Sequence, residues 1–190
     1  TPNSGKEDTM FKRSALPRMP YVQAKYQGSK QRPTAIIIDA TFTESTQGAA
    51  LGIANTWHRP SRLWEHGHYV LDEATRFRCT PDRIVSGIDP WSDKGALRIA
   101  VCANPSNGVT FWDLNHQPHY TVLKNAAMLV AELSTIYGIR VRILDDNATA
   151  RWRKFRLRHT GGIVIETTSG FPYEEFVKEV EVQKALLKST

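Results

Sequence analysis

Three features of the sequence predict an α/β fold, a mixed central β-sheet flanked by helices. Short β-branched runs such as residues 35–38, Ala-Ile-Ile-Ile, have the continuous apolar character of strands buried on both faces. These runs alternate along the chain with amphipathic stretches, the clearest at 120–137, and such alternation packs helices on a sheet. The 190 residues, 41% hydrophobic and 23% charged, suffice for one core.

The elements follow in order. The opening strand at 35–38 is expected to end at Asp39. Thr43 to Ser45 then offer a cap for a helix whose Ala49, Ala50, Ile53, Ala54 and Trp57 recur at helical spacing, and Pro60 stops it. Residues 67–72 and 75–79 read as two strands about a turn at Glu73-Ala74, and 97–103 as another, ended by Asn104-Pro105. In the helix at 120–137, Leu123, Ala126, Ala127, Val130, Leu133, Ile136 and Tyr137 form one stripe, and Gly138 terminates it. Further strands are expected at 141–144 and 162–165. A last helix spans 172–187, with Pro172 early in it, Glu174 and Glu175 at its positive end, and Phe176, Val177 and Val180 facing inward.

Residues 1–33 are expected to form an extended, basic N-terminal arm, with the α/β domain at 34–190. Pro2, Pro17, Pro20 and Pro33 interrupt helices there, while Met10, Phe11, Leu16, Met19, Tyr21, Val22 and Tyr26 give the arm apolar points for docking on a surface. The net charge is +6 and the pI about 9.4. Much of it is local: Lys6, Lys12, Arg13, Arg18, Lys25, Lys30 and Arg32 stand against Glu7 and Asp8. Such charge draws a chain toward nucleic acid, anionic wall polymers or an acidic protein. A second cluster, Arg151, Arg153, Lys154, Arg156 and Arg158, alternates with Trp152, Phe155 and Leu157. It reads as an edge with its apolar residues packed inward and its arginines in water, so nucleic acid is not the expected partner.

Several classes are set aside. No apolar run approaches the roughly 20 residues that span a bilayer, and residues 1–12 lack the apolar core of a secretory leader. Cys79 and Cys102 are expected to be buried thiols, too few for a disulfide scaffold or a four-cysteine metal site. No phosphate-binding glycine loop or serine- or cysteine-centred nucleophile motif is present. Asp113, His116 and His119 are read as loop and capping residues, and His66 and His68 share one side of a strand with no third ligand nearby.

Six motifs occur in a telling order: Ile36-Ile37-Ile38-Asp39-Ala40-Thr41, then Ile53-Ala54-Asn55-Thr56-Trp57-His58, then Glu65-His66-Gly67-His68-Tyr69-Val70-Leu71-Asp72. Leu97-Arg98-Ile99-Ala100-Val101, Gly162-Ile163-Val164-Ile165-Glu166 and Thr168-Ser169-Gly170-Phe171-Pro172-Tyr173-Glu174-Glu175-Phe176 complete the series. Over residues 34–182 the order resembles the type 2 N-acetylmuramoyl-L-alanine amidases, which share a fold with peptidoglycan recognition proteins, and most of all the amidase domains of actinobacteriophage endolysins. The resemblance implies a zinc hydrolase fold whose three ligand positions correspond to Asp39, Glu166 and Thr168. Zinc needs three protein ligands and an open place for water. None of the three positions holds the family's histidine, and Thr168 is a neutral hydroxyl.

The expectation is therefore a non-catalytic, amidase-like protein without a cofactor. His66, His68 and Tyr69 would line a vestigial groove. Lys12, Arg13, Arg18, Lys25, Lys30, Arg32, Arg151, Arg153 and Arg156 would make contacts with partners. The phage resemblance makes it a virion component, a minor capsid, decoration or tail protein docked through its arm on capsid or tail subunits. The alternatives are a peptidoglycan-binding module without hydrolysis and an active amidase with an unusual metal site.

Overall fold

The computed structural model describes residues 19–25, 27–44, 47–59, 67–86, 94–104, 117–142, 161–166 and 171–189. In chain order their elements are β1 (Gln27–Lys30), β2 (Ala35–Glu44), α1 (Ala49–His58), β3 (Tyr69–Leu71), β4 (Arg76–Arg78), β5 (Ile84–Ser86), β6 (Ala96–Asn104), α2 (Gln117–Tyr137), β7 (Gly162–Glu166) and α3 (Tyr173–Ser189). Five strands form the central sheet in the order β4-β3-β6-β2-β7. β3, β6, β2 and β7 run parallel, and β4 is an antiparallel edge. This is the mixed α/β architecture that the alternation of strand and helix predicts.

Alternate residues of each strand supply the two faces of the sheet. Ile36 and Ile38, Leu97, Ile99 and Val101, Tyr69 and Leu71, and Ile163 and Ile165 join one large core with α2 and α3. On the opposite face Val70, Ala100 and Cys102 pack with Ala50, Ala54 and Trp57 of α1. Ala35, Ile37, Ala96 and Val164 form a small separate cluster on that face. α2 is buried over more of its circumference than a single stripe, because Leu129 and Ala131 are covered as well as Leu123, Ala127 and Val130. It ends as expected: Gly138 adopts φ 66° and the Ile139 N–H reaches back to the Ser134 carbonyl at 3.0 Å, the left-handed cap that glycine allows.

The structure departs from the sequence expectations in three places. The α1 N-terminus follows Gly48 in a left-handed conformation with no side-chain cap of its own. The Asp72 carboxylate does that work from the end of β3, accepting the Gly48 and Ala50 N–H groups at 3.0 Å each. Residues 141–142 are not a strand, although Arg142 lends its carbonyl to the Ile163 N–H at 2.9 Å; 143–144 lie outside the described residues. Finally, β1 and β5 form an unforeseen two-stranded sheet.

Residues 19–25 and 27–33 pack on the domain. Val22 and Ala24 donate to the Arg78 and Cys79 carbonyls, Lys25 to that of Trp57, and Arg78 donates to that of Pro20. Ala24 and Gln31 are buried. Gln31 is a staple: its Oε1 accepts the Gly95 N–H at 2.8 Å and its Nε2 donates to the Asp82 carbonyl at 3.0 Å. Among the described residues no helix is long and apolar enough to cross a membrane.

Candidate functional site on the parallel strands

In open α/β sheets ligands bind outside the carboxyl ends of the strands, where neighbouring strands send their connections to opposite faces. β2 and β6 are such neighbours: β2 leads into α1 on one face, and β6 into α2 on the other. Asp39 lies on β2, in register with Ala100 of β6 and Glu166 of β7. The two strands thus bring to one level two positions that are far apart in sequence.

Asp39 alternates with Ile38, which faces the large core, and so belongs to the α1 face with Ile37. There its Oδ2 lies 2.8 Å from Nη1 of Arg98, an ion pair whose side chains are 21% and 19% exposed. The pair is sheltered yet reachable by solvent. Arg98 stands between Leu97 and Ile99 of the large core, so alternation sends it to the same face as Asp39. Its backbone is clamped by His68: the His68 N–H donates to the Arg98 carbonyl at 2.8 Å, and the Arg98 N–H donates to His68 Nδ1 at 3.0 Å.

His68 itself lies in the interior. With Nδ1 accepting, the ring proton sits on Nε2 and is donated to the Ile84 carbonyl at 2.8 Å. Burial outweighs that hydrogen bond and nearby Asp82, and holds the imidazole down at about 4, so it is neutral at pH 7. Tyr69 is also interior and donates to Asp82 Oδ1 at 2.6 Å, while Tyr137 of α2 donates to Asp82 Oδ2 at 2.6 Å. Burial, reinforced by the Asp82 carboxylate, raises both phenols, so each stays a donor. His68 and Tyr69 therefore serve the junction of β3, β5 and α2 and do not line an open surface.

A second carboxylate organises the same end of the sheet. Asp72 is fully buried just after β3. Besides the two N–H groups of α1, it accepts the Ala74 and Thr75 N–H groups and the Thr75 hydroxyl at 2.7–3.0 Å. Asn125 of α2 donates to the Asp72 and Glu73 carbonyls. One residue thus fixes the start of α1, the β3–β4 turn and, through its backbone, α2. Trp57 near the other end of α1 packs on Gly67, where a Cβ would come within 2.8 Å of the indole ring.

Of the other residues singled out by sequence, Lys25, Lys30 and Arg32 are exposed on the segment that packs beside α1, β4 and β5. Cys79 and Cys102 are buried free thiols, and burial pushes the Cys79 thiol up to about 12. Lys12, Arg13, Arg18, His66, Arg151, Arg153, Arg156 and Thr168 lie outside the described residues; for Glu166 the backbone position is described. Among the described residues no three His, Cys, Asp or Glu side chains stand together as a metal group. Sequence reasoning missed Arg98 and Asp72. The signal for Arg98 was available: a cation inside a strand with apolar neighbours must find a partner.

No protein-family profile and no curated protein matches the chain. Solved structures do. The catalytic domain of XlyA is 13% identical, with a TM-score of 0.57 over 85% of this chain and 98% of that one. The Staphylococcus aureus hydrolase AmiA, solved with its ligand, is 12% identical, with a TM-score of 0.56 over 91% of this chain and 85% of that one. A mutant endolysin from Bacillus subtilis is 13% identical, with a TM-score of 0.57 over 85% and 97%. The fold is thus the amidase fold that the motif order implies.

These likenesses correct the functional expectation. The fold is shared with a catalytic domain, a hydrolase and an endolysin. The readings as a non-enzyme, as a virion component docked on other virion proteins, and as a protein located in the particle are overturned. Physically, they equated the loss of histidines with an emptied site, whereas a solvent-reachable pair of opposite charges occupies the α1 face there.

Proposed function

We propose that the chain is a peptidoglycan hydrolase that cleaves the amide between the muramoyl lactyl group and L-alanine. The observation that carries this reading is the likeness in fold to catalytic domains over 85% of the chain. The register of Asp39 with Glu166, the last residue of β7, supports it. In the reaction the water oxygen bonds to the carbonyl carbon, the C–N bond breaks, and the nitrogen leaves as an amine carrying a proton from the water. The Asp39 carboxylate is suited to accept the proton of that water, and the guanidinium of Arg98 to donate hydrogen bonds to the developing oxyanion.

In this reading the residues do not fit the zinc ion that the resemblance implies. Asp39 is already engaged by a guanidinium at 2.8 Å, and the other two matching positions are Glu166 and Thr168, not histidines. No step is routed through a metal. Residues 1–33 are proposed as a basic segment serving the domain at 34–190, its exposed Lys25, Lys30 and Arg32 favouring approach to an anionic wall.

The test is incubation of the full chain with purified actinobacterial peptidoglycan. Free amino groups of L-alanine should rise while reducing sugar ends stay constant, and Asp39→Ala should abolish the release. Sedimentation with the wall but no release from the unmutated chain would favour the binding-module alternative. Neither binding nor release would overturn the reading.

A further inference from the structure

We infer that the guanidinium of Arg98 is the resident cation of the site, standing at Asp39 where the resemblance implies a metal, so that the chain holds no divalent ion there. The inference concerns the site of the proposed hydrolase and rests on that reading for its importance, but not for its test. Three observations carry it. Nη1 of Arg98 is 2.8 Å from Oδ2 of Asp39, in a pair about four-fifths buried. An arginine does not lose its proton at any ordinary pH, so this positive charge is permanent. The Arg98 backbone, from which the side chain reaches Asp39 on the neighbouring strand, is held on both its N–H and its carbonyl by the buried His68.

The competition is direct. A zinc ion bound by a carboxylate sits about 2 Å from its oxygen. On Asp39 it would lie within a few ångström of a fixed cation, in a sheltered place where charges are poorly screened. Calcium or magnesium requires still more room, with six or more oxygen ligands about the ion. The guanidinium answers the same need, neutralising the carboxylate within the parallel sheet.

The experiment is titration calorimetry of the full chain, stripped with chelator and dialysed, against zinc chloride and then manganese chloride alone. The unmutated chain and Asp39→Asn should behave alike, with no stoichiometric site that depends on Asp39. Arg98→Met should gain about one zinc per chain, lost again in Arg98→Met with Asp39→Asn. Arg98→Gln, which is polar and uncharged, repeats the test should the methionine variant melt early by circular dichroism. Hydrolysis by the unmutated chain should resist EDTA. One zinc per chain in the unmutated protein, removed by Asp39→Asn, would overturn the inference. So would variants that fold but stay metal-free, for then Arg98 excludes nothing. A chain that behaves as expected in calorimetry but releases no amine leaves the cation assignment standing and removes the hydrolase reading.

Discussion

The two faces of the central sheet are made by alternate residues of the same strands, yet they are built to different ends. Under α2 and α3, Ile36, Ile38, Leu97, Ile99, Ile163 and Ile165 are at most 1% exposed and belong to the large apolar core. On the other face α1 covers Val70, Ala100 and Cys102, a small cluster lies about Ile37 and Val164, and beside these stand Asp39 and Arg98 with a fifth of their side-chain surface open. One face is given mainly to burial. The other holds a charged pair between β2 and β6. Stability and chemistry are thus separated by the strand's two-residue period, and substitutions one residue apart should fall into different classes.

The largest effect is expected in the large core. Phe176 of α3 is fully buried and packs edge-on against Phe171 at 5.3 Å. Phe176→Ala should cost about 3–5 kcal/mol, read as a shift of the urea midpoint. An equal loss from Val164→Ala in the small cluster would break the contrast between the faces. Next comes His68. Its folded form is held neutral, with a value of about 4 against 6.5 unfolded. Between these values the unfolded chain binds a proton that the folded chain refuses, so stability present above pH 6.5 is lost as pH falls toward 4. The loss should approach about 3 kcal/mol, and His68→Gln should flatten it in urea titrations at pH 7 and 4.5. An unchanged slope in that variant would mean that other groups carry the acid sensitivity.

The contrast also explains what the sequence disclosed. The apolar face was legible: the runs at 35–38 and 97–103 and the stripe of α2 report burial through local pattern alone, and the glycine that ends α2 sits where the periodicity stops. The polar work was not legible, because its partners are remote in sequence. Asp72 looks like the end of a strand, and nothing local says that its carboxylate caps a helix beginning at Ala49; Thr43 to Ser45 were the nearer candidates. β1, reading Gln-Gly-Ser-Lys, has no apolar alternation, and it pairs with a three-residue strand found only in the fold. His68 offered a metal ligand's chemistry but is committed through both ring nitrogens to backbone groups. For the candidate site, position Asp39 was legible by motif order. Its guanidinium partner was not, since Arg98 was read as one residue of a strand motif.

Asp72 should show an intermediate effect. Asp72→Asn replaces one acceptor oxygen with an N–H donor facing N–H groups of α1 or of the β3–β4 turn, and should cost about 2–3 kcal/mol. Exchange protection of the first amides of α1 should fall before that of α2. Equal loss in both helices would mean that α1 is not separately held by this residue.

The smallest effect on stability, and the most informative, is expected at Asp39. Asp39→Asn keeps the shape and the possibility of one hydrogen bond to Arg98, and the pair is open enough for water to compensate part of the lost charge. A cost of about 1 kcal/mol follows, near the upper end for partly exposed pairs. Release of L-alanine amino groups from peptidoglycan should nevertheless fall by at least about 100-fold, since the proposed proton acceptor is gone. The adjacent substitution Ile38→Val, on the other face, should do the reverse: about 1 kcal/mol of stability lost and release within a factor of two. A large loss of release from Ile38→Val, or none from Asp39→Asn, would dissolve the separation of the two faces, because the strand period would no longer predict which residue folds the protein and which one works.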